Sequence, residues 1–206
     1  SIGNNLRNFY EIKICESVAF KSSEKLNLHS NYSDMILFPN AKINLGLHIL
    51  SKREDNYHNL ETLMHPIGLC DILEFLPSKE TETGLRLTGI PVSGEMSENL
   101  VYKAYKLLKE KYQLPELNIH LHKMIPAGAG LGGGSSDAAF MLKGLNQMFG
   151  LKLSITELQE YTAFLGSDCS FFIENAPALV SGRGEILAQA DNFIKNYKIL
   201  LLFPEF

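Results

Sequence analysis

Pro126-Ala127-Gly128-Ala129-Gly130-Leu131-Gly132-Gly133-Gly134-Ser135-Ser136-Asp137-Ala138-Ala139 is the stretch that decides how this chain folds. Five glycines fall within the seven residues from Gly128 to Gly134. Without Cβ atoms, the backbone can turn its N–H groups inward around a ligand. Ser135 and Ser136 then open a helical pattern that runs to about residue 149. The unpaired N–H groups and positive dipole end of such a helix point at whatever the loop encloses. That is the physics of a phosphate site. Ala138 and Ala139 let the helix pack closely beneath the loop. Three other readings fit less well. A plain turn needs one or two glycines, not five followed by two hydroxyls. A Walker-type loop needs a lysine after its last glycine, and Ser135 stands there. Gly128-x-Gly130-x-x-Gly133 matches the dinucleotide pattern of a nicotinamide oxidoreductase. That fold expects an acidic residue ending a second strand about 20 residues on, where Ser154 to Glu157 reads instead as a helix start.

Outward from the loop, residues 117–123 alternate as a strand. His120 and His122 share one of its faces, but two histidines without a Cys or carboxylate pattern do not make a metal site, so they read as surface residues. Residues 97–113 read as a helix, capped by Ser97, with Leu100, Val101, Ala104, Leu107 and Leu108 as its apolar stripe. Ser154 and Glu157 form a capping box for another helix ending near Gly166. Near the start, residues 41–50 alternate with Ile43, Leu45, Leu47 and Ile49 on one face and Lys42, Asn44, Gly46 and His48 on the other. Residues 60–68, 71–76 and 84–90 are further strand candidates, and 178–180 and 198–203 read as closing strands. Strands in succession, then helices mixed with strands, predict an α+β domain rather than a regular βαβ series. Residues 1–34 lack a lasting period and read as an N-terminal extension, leaving 35–206 as one lobe.

The 206 residues carry a formal net charge of -4, with 45% hydrophobic and 20% charged residues. This composition supports a core, and without a Lys/Arg stripe it excludes a nucleic-acid partner held by phosphate neutralisation. Cys15, Cys70 and Cys169 are widely spaced and form no C-x-x-C, which fits a reducing compartment. Apolar stretches such as 199–203 are too short to span a membrane, and no signal peptide opens the chain. A cytoplasmic protein is expected.

The loop, in the form Pro-x-x-x-Gly-Leu-x-x-x-Ser-Ser-x-Ala-Ala, resembles the ATP-binding motif of the GHMP kinases, and its elongated Gly-Leu-Gly-Gly-Gly-Ser-Ser is similar to the branch acting on diphosphocytidyl-methylerythritol. Pro39-Asn40-Ala41-Lys42-Ile43-Asn44-Leu45 resembles that branch's P-A-K-[IL]-N-L strand with Asn40 inserted. Arg53-Glu54-Asp55-Asn56-Tyr57-His58 resembles R-x-D-G-Y-H with Asn56 in place of Gly, a residue that also tolerates positive φ. Leu165-Gly166-Ser167-Asp168-Cys169-Ser170-Phe171-Phe172 resembles L-G-[AS]-D-V-P-F-F, and Ser181-Gly182-Arg183-Gly184-Glu185 resembles the family's G-x-G-E turn.

The resemblance covers about residues 36–206. It implies the N-terminal lobe of a GHMP kinase (ribosomal protein S5 domain 2-like), with the chain ending near the start of the second lobe. It further implies ATP-dependent phosphorylation of the 2-hydroxyl of diphosphocytidyl-methylerythritol, in non-mevalonate isoprenoid synthesis. ATP would lie along residues Pro126 to Ser136, accompanied by Mg²⁺ held largely by phosphate oxygens, with Ser135 or Ser136 contributing. Asp168 is implied as the base and Lys42 as the cation at the transferring phosphoryl group. Asn44, Tyr57 and His58 would hold the substrate, the last two at its cytosine. On the residues alone, Lys42 is equally a solvated strand lysine, Asp168 a turn or cap residue and Tyr57 a loop cover. A lobe that binds nucleotide without catalysis is the alternative outcome.

Overall fold

Alternating apolar residues become strands here wherever one face finds a helix to cover it. The computed structural model describes residues 34–54, 56, 58–182 and 184–202, so the expected extension lies outside it apart from Asp34. The elements are β1 (Met35–Leu37), β2 (Asn40–Lys52), β3 (His58–Cys70), β4 (Ile72–Pro77), β5 (Gly84–Gly89), α1 (Leu100–Tyr112), β6 (Leu117–Lys123), α2 (Gly133–Met148), α3 (Ile155–Thr162), α4 (Cys169–Glu174), β7 (Ala178–Gly182) and β8 (Ile186–Gln189). They form two four-stranded sheets, β1-β4-β6-β5 and β2-β3-β7-β8. The α+β class expected from the sequence is the one adopted.

In the first sheet β5 and β6 run parallel, and α1 makes the crossover between them. Leu73, Phe75, Leu117, Ile119 and Leu121 face Val101, Ala104 and Leu108 of α1 and Ala138, Met141, Leu142 and Leu145 of α2. The same core takes in Met64, Val180, Phe171 and Phe172, which joins the second sheet and α4 to the first. His120 and His122 fall on the opposite face of β6, where the Thr88 hydroxyl lies 2.8 and 2.9 Å from their ring nitrogens.

The dinucleotide reading is overturned here. The helix after the glycine loop leads into α3 and not into a second parallel strand, so no βαβ unit follows it. Asn99, rather than Ser97, caps α1, its side chain accepting the Val101 N–H at 2.9 Å, because residues 96–98 form a separate 3-10 turn. Helix α2 begins at Gly133, two residues earlier than expected, with Gly132 as its cap at φ 71°. The Ser154–Glu157 capping box of α3 is present as read.

Residues 198–202 form no strand. Ile199 and Leu201 pack against Ala41, Ile67, Leu69, Ile125 and Leu131, so their alternation records side-chain packing without backbone pairing. On β2 the expected faces also fail to hold along its length. Lys42 is 3% exposed, whereas Leu47 and Ile49 are 55% and 68% exposed. Both faces are buried at 40–42 and both exposed at 46–52, so cover and not face decides exposure; a register shift lies between Leu45 and Leu47, at Gly46 with φ 72°.

Helix α2 crosses the sheet at Gly144, where an added Cβ would stand 2.7 Å from both Leu37 Cδ1 and Phe75 Cζ. Gly→Ala normally gains roughly 1 kcal/mol inside a helix, while overpacking costs roughly 1–3. Phe75 is fully buried and cannot swing away, so Gly144→Ala is expected to lower the urea midpoint of unfolding. A raised midpoint would show that the helix–sheet contact relaxes freely.

Candidate active site

Residues 126–132 leave β6 and return as the first turn of α2, and the glycines let this happen in a tight space. At Gly132 a Cβ would lie 3.0 Å from the Phe172 ring and 3.2 Å from Lys42 Cγ, on a backbone already at φ +71°. A cavity of about 690 Å³ opens on the other side of the loop. Pro126 through Ser135 all line it, facing the 3-10 turn across the opening. Of the residues expected at ATP, only Ser136 falls outside this lining. Its side chain is buried and its Oγ has no hydrogen-bond partner among the described residues.

Lys42 and Asp168 do not line the cavity, but the Lys42 stem packs against Gly132, which does. Lys42 Nζ lies 3.3 Å from Asp168 Oδ2 and also donates to Asn44 Oδ1 at 3.3 Å. The Lys42 backbone N–H donates to the Leu131 carbonyl at 2.9 Å, which stitches β2 directly to the glycine loop. Asp168 sits at the N-terminal end of α4 with its side chain 28% exposed. The structure thus brings together Lys42, Asn44, Asp168 and the loop, which lie far apart in sequence.

Two contacts hold α4 in place. Asn175 ends it at φ 56° and donates from Nδ2 to Asn40 Oδ1 at 2.7 Å, so the inserted Asn40 ties the start of β2 to the end of α4. Lys143 of α2 donates to the Phe172 and Ile173 carbonyls at 3.0 and 3.5 Å. Burial pulls its ammonium down to about 8. Burial likewise pushes the Cys169 thiol up to about 11, which leaves it unreactive at neutral pH.

His58 opens β3 and is exposed at the far end of the β2–β3 ribbon from Lys42, whose register partner is Pro66. Tyr57 lies outside the described residues. Asn56 does take the positive φ, 65°, that its place in the turn requires.

One buried cluster escaped the sequence reading. Lys123, which also lines the cavity, is paired with both Asp71 and Asp137. A signal for it existed: Leu117, Ile119, Leu121 and Lys123 occupy successive inward positions of β6, so the lysine points where only a paired charge is tolerated.

With this geometry in place, comparison defines the class. Residues 99–182 match the GHMP kinases N terminal domain. The fold is that of the Methanococcus jannaschii mevalonate kinase, with a TM-score of 0.60 at 15% identity over 81% of this chain and 60% of that one. Residues 99–182 thus form the N-terminal domain of a GHMP kinase by sequence, and the described fold agrees with it. Within that family the chain is similar to 4-diphosphocytidyl-2-C-methyl-D-erythritol kinase of Bacteroides fragilis, 53% identical over 173 residues, which is 83% of this chain and 63% of the relative. A crystal structure of 4-(cytidine 5'-diphospho)-2C-methyl-D-erythritol kinase matches with a TM-score of 0.65 at 39% identity, covering 76% of this chain and 55% of that one. The chain therefore spans less than two thirds of the length of these relatives.

Lys143 provides a test of how α4 is held. Its ordinary value is 10.5 and its folded value is about 8, so between those pH values the unfolded chain binds more protons. Stability contributed by this group therefore rises with pH across that window and is lost as pH falls through 8. Lys143→Met is expected to flatten the rise in urea midpoint between pH 8 and pH 10. Parallel profiles for the two proteins would assign the titration to another group.

Proposed function

We propose that the protein is an ATP-dependent kinase that phosphorylates the 2-hydroxyl of 4-diphosphocytidyl-2-C-methyl-D-erythritol, a step of non-mevalonate isoprenoid synthesis. The observation that carries this reading is the Lys42–Asp168 pair, 3.3 Å apart, whose lysine stem packs against Gly132 in the wall of a glycine-lined cavity. Phosphoryl transfer needs the donor fixed in line, its charge neutralised and the acceptor's proton removed. Each need has a candidate here.

The cradle fits a nucleotide's phosphates. The loop backbone approaches without side chains, and the N-terminal turn of the 16-residue helix α2 contributes N–H groups and dipole. Asp168 accepts the proton of the attacking hydroxyl. Lys42 steadies both the nascent alkoxide and the transferring phosphoryl group. Its stem is packed against Gly132 and its ammonium is held by Asp168 and Asn44, so little side-chain freedom remains to be lost on binding. Mg²⁺ would arrive with ATP and neutralise phosphate charge, and Ser135, in the cavity wall, or Ser136 would help to hold it.

Asn44 orients the acceptor end of the substrate, while Tyr57 and His58 hold its cytosine by stacking and edge contacts. An elongated substrate would run along the β2–β3 ribbon between these groups. We place the reaction in the cytosol, in keeping with Cys169 as a free thiol. Among the described residues no helix is long and apolar enough to cross a membrane.

Turnover of ATP with the cytidyl substrate by the full-length protein tests the reading directly, and binding of NADH without binding of ATP would sink it. Asp168→Asn and Lys42→Ala are each expected to lower kcat on the order of 10²-fold or more with little change in ATP affinity. An active Asp168→Asn enzyme would remove that residue from its role. Tyr57→Ala should instead raise KM for the cytidyl substrate, since stacking on a base contributes roughly 1–3 kcal/mol. An unchanged KM would place the cytosine elsewhere.

A further inference from the structure

We propose that Asp71, Lys123 and Asp137 form a buried clamp that positions the nucleotide loop by both of its stems. The inference rests on the reading of the cavity as the ATP site. Lys123 and Asp137 are positioning residues in it, since they act on nucleotide through the loop.

Both stems of the loop converge on this cluster. Asp71, in the turn between β3 and β4, accepts the backbone N–H groups of Met124 and Ile125 at 2.5 and 2.8 Å, the two residues that lead into Pro126. Asp137 lies in the first turns of α2, just past the far stem, and receives Lys123 Nζ on Oδ2 at 2.6 Å. The same ammonium donates to Asp71 Oδ2 and so bridges the two stems. Gly133 closes the gap: a Cβ there would come within 2.8 Å of Ile125 Cγ2 and 3.3 Å of Lys123 Nζ. All three charged side chains are buried.

The two carboxylates are not equivalent in this clamp. Asp71 is supplied by Lys123 and two backbone N–H groups, whereas Asp137 Oδ1 has no hydrogen-bond partner among the described residues. The Lys123 ammonium is thus the link that ties the α2 stem, through Asp137, to Asp71 and the Met124–Ile125 stem, and removing it uncouples the two.

The test is ATP binding by the full-length protein, measured by calorimetry. Lys123→Met should raise Kd and KM for ATP at least tenfold with a smaller fall in kcat, and Lys123→Arg should restore part of the loss. The clamp itself is read without nucleotide, by amide hydrogen exchange across residues 126–134. Exchange there should be at least tenfold faster in Lys123→Met, or in Lys123→Arg if the first variant does not fold. Unchanged exchange in a folded variant would overturn the clamp. Phosphoryl transfer is a separate readout: a protein without turnover whose loop exchange still depends on Lys123 sinks the kinase reading alone.

Discussion

At Gly132 three parts of the chain come closer together than any side chain would allow. The backbone there turns at φ +71°, with the Phe172 ring of α4 and the Lys42 stem of β2 already 3.0 and 3.2 Å from where a Cβ would stand. Because that atom is absent, the Lys42 N–H can reach the Leu131 carbonyl, and the strand, the loop and the helix share one junction. The catalytic pair of the proposed kinase is a consequence of this close approach. Lys42 and Asp168 come from different elements: the lysine stem lies against Gly132, and Asp168 opens the helix whose Phe172 ring lies against it.

Burying charge around that junction carries a cost that the fold meets by pairing. Lys42 is almost wholly buried and has Asp168 and Asn44 as partners. Lys123 is shared by two carboxylates, and Lys143 is satisfied by the last carbonyls of α4. Stripping one partner from a buried pair costs about 3–5 kcal/mol, whereas exposed pairs contribute little. These lysines therefore specify geometry more than they add stability. Each ties a helix end, a strand or a loop stem to a second element, and all three ties surround the glycine loop.

Several features were legible without coordinates because they rest on local physics. The glycine run followed by two serines marks a tight loop that opens a helix, and the structure has both. The Ser154–Glu157 box is a contact within one turn, and it appears as read. Alternation located β6, and spacing located the body of α1. The α+β class followed from the order of those elements.

What stayed hidden was decided by contacts between distant residues. Alternation in 198–202 comes from packing on the cluster around Ala41 and Ile125, and no periodicity can distinguish that from sheet pairing. Along β2 both faces are buried at 40–42 and both exposed at 46–52, so exposure is set by what covers each end of the strand, which alternation cannot carry. Asn40 looked like an insertion until Asn175 arrived to bond it. The sequence by itself determined the glycine loop, the capped helices and the residue types available for phosphoryl transfer, because backbone conformation and near-neighbour hydrogen bonds are written locally. Tertiary structure alone decided that Lys42 meets Asp168, and that Lys123 joins Asp71 to Asp137. Those distances depend on where two sheets and four helices settle together, and the pairing that makes a buried charge tolerable exists only once they have.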